Sequence, residues 1–239
     1  MQPRRPHAPG WISPAAQNYL LSLYVLREEG PWPTAGQLAE YIRRLPAGEG
    51  LGTSLPSVLG MVRRMVREGL VAVTPQKWVC LTERGSVLAE EVVRRHRLAE
   101  RLVVDLLGLE LCKAHEEAHR LEHGISPEVE ARIRERLGHP TTCPFGRPIP
   151  GSEHQPPPGQ RVTLDKAQAG TTYAVDRVPE EDQQLLCFLV EHGVLPGQEV
   201  HVVEAGHYRG VLVFRTAQAE AALGVEAASR VWLRETPSG

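Results

Sequence analysis

The ten residues HEEAHRLEHG, running from His115 to Gly124, gather three imidazoles and three carboxylates. At about 100° per residue, His119, Glu122 and His123 fall about +40°, −20° and +80° from His115. Four donors therefore share roughly a third of a helix circumference. Imidazole nitrogen combined with carboxylate oxygen suits divalent Mn, Fe, Co, Ni or Zn. One helix rarely completes a coordination shell, so further ligands are expected elsewhere. RRHRLAER offers His96 and Glu100, one turn apart on one face. Two antiparallel helices, each bearing such a pair, can share a metal. The plainer alternative makes His96 a surface histidine and Glu100–Arg101 solvated charge. A different chemistry uses the same letters: His119-Arg-Leu-Glu122-His123 is H-x-x-E-H, the inverted zinc-peptidase motif, with Glu122 as base. That reading leaves most of the chain without a role.

The elements that must position these side chains can be read from caps and periodicity. Ser13-Pro14 opens a helix that Gly30 stops near Glu29. Thr34 with Gln37 forms a capping box for a second helix, to about Leu45. After the loop PAGEGLGTS, Ser54 caps a third helix with Pro56 in its first turn. Leu55, Val58, Leu59, Val62, Met65 and Val66 are its expected buried stripe, and Gly69 its end. LVAVTPQKWVCLT reads as two short strands. Three helices and a hairpin in this order predict a winged helix-turn-helix over residues 1–82.

Thr82 caps a long helix expected over Glu83–Leu107, broken by Gly108. The histidine-rich helix ends at Gly124, and a third runs from Ser126-Pro127 to about Gly138. This all-helical unit, residues 83–150, shows no obvious core of its own and is expected to pair with a second copy. CPFGRPIPGSEHQPPPGQ is dense in Pro and Gly and reads as a linker, assigned to 151–160 between domains. RVTL, TYAVDRV, EVHVVEAG, VLVFRT and VWLRE read as strands, with a helix near Glu181–His192, and predict an SH3-like barrel over 161–239. The expected class is mainly α with small β parts. No internal repeat is visible.

At 239 residues, 41% apolar, the chain can bury a substantial core. No apolar run reaches the roughly 18 residues a membrane span needs. MQPRRPHAPGW has basic residues but no apolar segment behind them. A cytoplasmic protein with no membrane partner is expected. Cys80, Cys112, Cys143 and Cys187 form no CxxC pair, so reduced, buried thiols are expected. The net charge is −2, yet Arg43, Arg44, Arg63, Arg64, Arg67, Lys77, Arg84, Arg94, Arg95, Arg97 and Arg101 crowd the first half. Such a basic surface suits nucleic acid, and equally a solvated helix face.

NYLLSLYVL, SLPSVLGMVRRMVREGLV, RRHRLAERLVVDLLGL, AHEEAHRLEHGIS and CPFGRPIPG together resemble the diphtheria-toxin-repressor family of metal-dependent transcriptional regulators, including its manganese-responsive branch. The resemblance covers nearly the whole chain. It implies a non-enzymatic regulator of metal-homeostasis genes, most simply a repressor, acting as a homodimer on double-stranded palindromic operator DNA. It implies activation by Mn(II) or, next, Fe(II), with Zn(II) or Co(II) possible. A regulatory site would use Asn18, His119, Glu122 and His123; an ancillary site would use His96, Glu100 and His115. An E-x-x-Q pair in the last domain falls on Glu180 with Gln183 or Glu181 with Gln184. His119 stands where family members have cysteine or a carboxylate, and Asn18 where they have methionine or aspartate. These departures leave the metal open. A metal linking Asn18 to the helical domain would set the separation of two recognition helices, which must meet major grooves about 34 Å apart. Ser54, Pro56 and Ser57 would lie near base edges, and Arg63, Arg64 and Lys77 near phosphates. A metal-independent winged-helix DNA binder is the remaining alternative.

Overall fold

The computed structural model describes residues 12–45, 51–206 and 209–236. The basic N-terminal stretch through Trp11, and residues 46–50 of the loop before the third helix, lie outside them. The chain divides into two compact units, Met1–Val93 and Arg94–Gly239. The division falls within a helix, some ten residues beyond the 82/83 boundary expected from sequence.

The first unit contains α1 (Pro14–Glu29), α2 (Ala35–Arg44), α3 (Leu55–Arg67), β1 (Val71–Val73), β2 (Val79–Leu81) and the start of α4 (Glu83–Arg101). The caps act as their chemistry requires. Ser13 Oγ accepts from the Ala16 amide, Thr34 and Gln37 close a reciprocal box, and Ser54 Oγ accepts from the Ser57 amide. Leu20, Leu23, Leu38, Ile42, Val58, Val62, Met65 and Leu70 form the core. The expected α3 stripe is too wide, because Leu55 and Val66 are exposed. Both sit at the margins of the arc centred on Val58, Val62 and Met65. β1 and β2 pair antiparallel, Val71 opposite Leu81. Thr82 Oγ1 accepts from the Gly85 amide, opening α4, and donates to the Gly69 carbonyl. A Cβ at Gly85 would lie 1.9 Å from the Leu70 carbonyl oxygen, so only glycine permits this approach.

The second unit continues from α4 through α5 (Leu111–Glu122), α6 (Pro127–Arg136), β3 (Arg161–Thr163), β4 (Thr172–Arg177), α7 (Gln183–Glu191), β5 (Glu199–Gly206), β6 (Val211–Arg215), β7 (Glu220–Gly224), α8 (Val225–Ala228) and β8 (Trp232–Glu235). The α-helical pattern of α4 does not reach Leu107. Leu102–Leu106 form a π turn in which the Leu107 amide bonds to the Leu102 carbonyl at 3.1 Å. Six antiparallel strands order as β3-β8-β4-β5-β6-β7. Both β7 and α8 were unread in the sequence, since EAALGVEAA has too few β-branched residues to announce a strand.

The helical region shares a core with the last domain: Val103, Ala114, Cys143 and Phe145 are buried in one cluster with Leu164, Val175, Leu186, Val200 and Phe214. The first part of the Pro/Gly-rich stretch is no free linker. Cys143, Phe145, Arg147, Ile149 and Pro150 are buried. Proline and glycine there shape a packed turn. Gly146 has φ +90°, and a Cβ on it would meet the Asp176 carbonyl oxygen at 2.1 Å.

Candidate metal centre

α4 carries His96 and Glu100 one turn apart; α5 carries His115, His119 and Glu122 along one face. All five are buried, Glu100 with no exposed surface. This rules out the solvated reading of His96 and Glu100. His96 is the centre of the group. Its Nδ1 donates to Glu122 Oε2 at 2.6 Å, and its Nε2 lies 2.9 Å from Glu100 Oε1 and 3.1 Å from His115 Nδ1. His115 Nδ1 approaches Glu100 Oε1 at 3.3 Å, and His119 Nδ1 approaches Glu122 Oε1 at 3.1 Å. His123 is the C-cap of α5, one-quarter exposed, with Nε2 3.6 Å from Glu122 Oε1.

The electrostatics follow from crowding opposite charges out of water. Burial alone would lower the His96 pKa, but the Glu100 and Glu122 carboxylates outweigh it and hold His96 well above the ordinary 6.5. Burial opposes ionisation of Glu122, yet His96 and His119 pull it down to about 2. Glu100 is likewise driven far below the carboxylate range, against its burial, by His96 and His115. Burial is the main reason that His123 titrates below its usual value.

Two sets of three donors each have ligand atoms within 4.8 Å of one another: His96, His119 and Glu122, and His96, Glu100 and His115. The sequence had placed His96 in only one set; the structure shares it between both. A third set, Glu100, Cys143 and Glu180, joins two residues expected from sequence to one that was not, Cys143. Its members come from α4, the packed turn and the segment after β4, and no spacing in the sequence announces it. The E-x-x-Q alternatives separate here. Glu180 reaches this cluster and lies 3.3 Å from Arg147 Nε. Glu181 turns to Arg230 at 2.8 Å, while Gln183 and Gln184 are exposed on the first turn of α7.

The donor chemistry fits a divalent transition ion. Buried imidazoles and carboxylates converge, and Glu100 Oε2 accepts no hydrogen bond among the described residues. Residues 82–151 match the family described as "Iron dependent repressor, metal binding and dimerisation domain", and residues 162–235 match the FeoA domain. The chain is 37% identical over 195 residues to the diphtheria toxin repressor of Corynebacterium efficiens, covering 77% of this chain and 81% of that one. It is 40% identical over 196 residues to the iron-dependent repressor IdeR of Mycobacterium tuberculosis, with the same coverage. The chain belongs to the diphtheria-toxin-repressor family. Among solved members, a manganese-dependent transcriptional repressor in complex with manganese superposes with a TM-score of 0.78 at 30% identity, over 92% of this chain and all of that one. The manganese regulator SloR superposes with 0.74 at 27% identity, over 94% of this chain and all of that one.

Family membership gives context to the remaining residues named from sequence. Asn18 is on α1 in the first unit, its carbonyl accepting from Ser22 Oγ at 2.8 Å. Ser54, Pro56 and Ser57 are exposed at the start of α3, with Arg63 and Arg64 further along. Arg64 bonds to Glu68 at 2.7 Å. Lys77 is exposed in the β1–β2 turn at φ +67°. The basic residues do not all share one surface, however. Arg97 is buried and donates to the Pro148 carbonyl, Arg94 pairs with Glu130 at 2.5 Å, and Arg101 donates to the Thr142 carbonyl at 2.7 Å.

Proposed function

We propose that this chain is a metal-responsive transcriptional repressor of metal-homeostasis genes that binds palindromic operator DNA as a homodimer. The observation that carries this reading is the buried set His96, Glu100, His115, His119 and Glu122, within the segment matching a metal-binding and dimerisation domain. Burying so many ionisable groups is costly unless their charges are matched. A divalent cation, when bound, supplies positive charge to the carboxylates and coordination directions that fix the side chains of α4 and α5. The chain's own residues do the rest. Glu122 accepts from His96 Nδ1, which leaves Nε2 directed at Glu100 and His115 and fixes the ring. His119, Glu122 and His123 are the proposed regulatory ligands; His96, Glu100, His115 and Glu180 are the ancillary ones. Asn18 as a regulatory ligand rests on the family resemblance, and Asn18→Ala tests it. Mn(II) is the favoured ion and Fe(II) the next, with Zn(II) and Co(II) as competitors.

We assign residues 1–82 to a winged helix-turn-helix, 83–150 to dimerisation and metal binding, 151–160 to a linker and 161–239 to the SH3-like domain. α3 is the recognition helix. Val58, Val62 and Met65 hold one face in the core, leaving Ser57, Arg63, Arg64 and Arg67 on the opposite, exposed face. Lys77, on the wing, reaches a neighbouring phosphate. The zinc-peptidase alternative requires Glu122 to act as base on a substrate, but Glu122 is buried and already accepts from His96.

The test is a gel-shift titration of operator DNA with Mn²⁺, Fe²⁺, Zn²⁺ and Co²⁺. A coupling of about 1–3 kcal/mol predicts tightening of roughly 5–150-fold. His119→Ala or His123→Ala removes the metal response while the fold persists. Equal operator affinity for chelator-stripped and loaded wild-type protein would refute the proposal.

A further inference from the structure

Of the four thiols expected to be buried, only Cys143 is, the others being part-exposed, and among the described residues it is the one cysteine placed among potential metal ligands. Its backbone is fixed on all sides. The Cys143 amide donates to the Arg147 carbonyl at 2.8 Å, and the Gly146 amide donates to the Cys143 carbonyl at 3.0 Å. The Arg101 guanidinium reaches the same carbonyl at 3.3 Å. The turn is locked against β4 by the glycine-only approach of Gly146 to Asp176. The sulfur therefore has little freedom, and its ligand atom lies within 4.8 Å of those of Glu100 and Glu180.

All three residues are buried, and Glu100 Oε2 accepts no hydrogen bond among the described residues. Three groups that become anionic on losing a proton thus share one dry place. Burial first, then the Glu100 and Glu180 charges, push the Cys143 thiol well above its ordinary range, while Arg97 and the Phe145 amide oppose this. Burial and Glu100 raise Glu180 against the pull of Arg147. Arg97 and Arg147, with His96 and His115 on the Glu100 side, bring positive charge to the cluster.

We propose that Cys143, Glu100 and Glu180 form a thiolate-containing divalent-metal site adjoining the His96–Glu100–His115 ancillary set, with the carboxylates of Glu100 and Glu180 common to both. Thiolate selects softer ions, so this site takes Zn(II), Co(II) or Fe(II) ahead of Mn(II). Binding breaks the S–H bond heterolytically and forms a metal–sulfur bond. The proton passes to buffer and no oxidation state changes. The inference deepens the metal-sensing reading and rests on it for its biological meaning. It adds a softer, sulfur-containing position to the regulatory and ancillary ones.

Co²⁺ is the probe. Titrated anaerobically into reduced, chelator-stripped full-length protein, it should give a near-ultraviolet sulfur-to-cobalt charge-transfer band. Cys143→Ser should abolish the band, whereas Cys112→Ala and Cys187→Ala should keep it. X-ray absorption of the zinc-loaded wild-type protein, which needs no variant, should show a sulfur shell at about 2.3 Å beside nitrogen and oxygen at about 2.0–2.2 Å. Zn²⁺ affinity should fall about tenfold or more in Cys143→Ser, on the scale known for losses of ligand support, with Mn²⁺-stimulated operator binding retained. Metal-loaded wild-type protein without the band and the sulfur shell, or a band that survives Cys143→Ser, overturns the inference. An operator response to Mn²⁺ without sulfur ligation refutes this site alone. Sulfur ligation without any metal effect on the operator refutes the functional reading alone.

Discussion

Replacing His96 by alanine removes the group that joins two buried carboxylates. His96 donates to Glu122 at 2.6 Å and lies 2.9 Å from Glu100, with all three side chains nearly or fully buried. Breaking a buried ion pair costs about 3–5 kcal/mol, because the surviving charge is stranded. Total stability is about 5–15 kcal/mol, so the metal-free variant should lose a large share of it. At about 2–4 °C per kcal/mol for a chain of this size, the expected drop in Tm is roughly 6–20 °C. Differential scanning calorimetry in chelator, near neutral pH, measures it. The sign of the pH dependence is fixed by the shifts. The lowered Glu122 contributes stability above its ordinary 4.5 that is lost as pH falls through about 2. The raised His96 contributes stability below 6.5 that is lost as pH rises through its folded value. In the variant, the stranded carboxylates are protonated more readily, so its deficit should shrink on acidification to about pH 4. A variant that melts within about 2–4 °C of wild type at neutral pH, or a deficit that grows on acidification, would refute the ion-paired account of this core.

Metal binding should displace a proton from His96, since the Glu100 and Glu122 carboxylates raise its pKa and favour its charged form. Apparent affinity should then rise about tenfold per pH unit per proton displaced, and level off above the His96 pKa; calorimetry in buffers of different ionisation enthalpy counts the protons. A groove of about 280 Å³ lined by Leu102, Leu106, Val129 and Ile133 leaves Leu106 50% and Val129 46% exposed. If this face joins two copies, the double variant Leu106→Glu, Val129→Glu should sediment as a monomer and lose operator binding without losing helical signal. Gly146→Ala should destabilise the second unit by several kcal/mol, since its Cβ would meet the Asp176 carbonyl at 2.1 Å at a φ of +90°; a chemical-denaturation midpoint equal to wild type would contradict this.

The longer helices and the faces that carry the histidine and glutamate clusters were legible because the signals are local. His115, His119 and Glu122 repeat at helical spacing, His96 and Glu100 are one turn apart, and Ser13, Thr34, Ser54 and Ser126 supply cap oxygens within three residues of the amides they satisfy. Helical geometry converts such spacings into position without reference to the rest of the chain. Three matters depended on tertiary packing. Which of Glu180 and Glu181 meets the cluster was decided by Arg230, about fifty positions away, which draws Glu181 aside. Cys143 became a potential ligand only because the Pro/Gly-rich turn packs inward beside Val103, Ala114 and the barrel core. Arg97, read as part of a basic surface, is buried because the Pro148 carbonyl accepts its guanidinium. In each case the deciding partner lies tens of residues away and shares no period with the residue it positions, so only the folded chain brings them together.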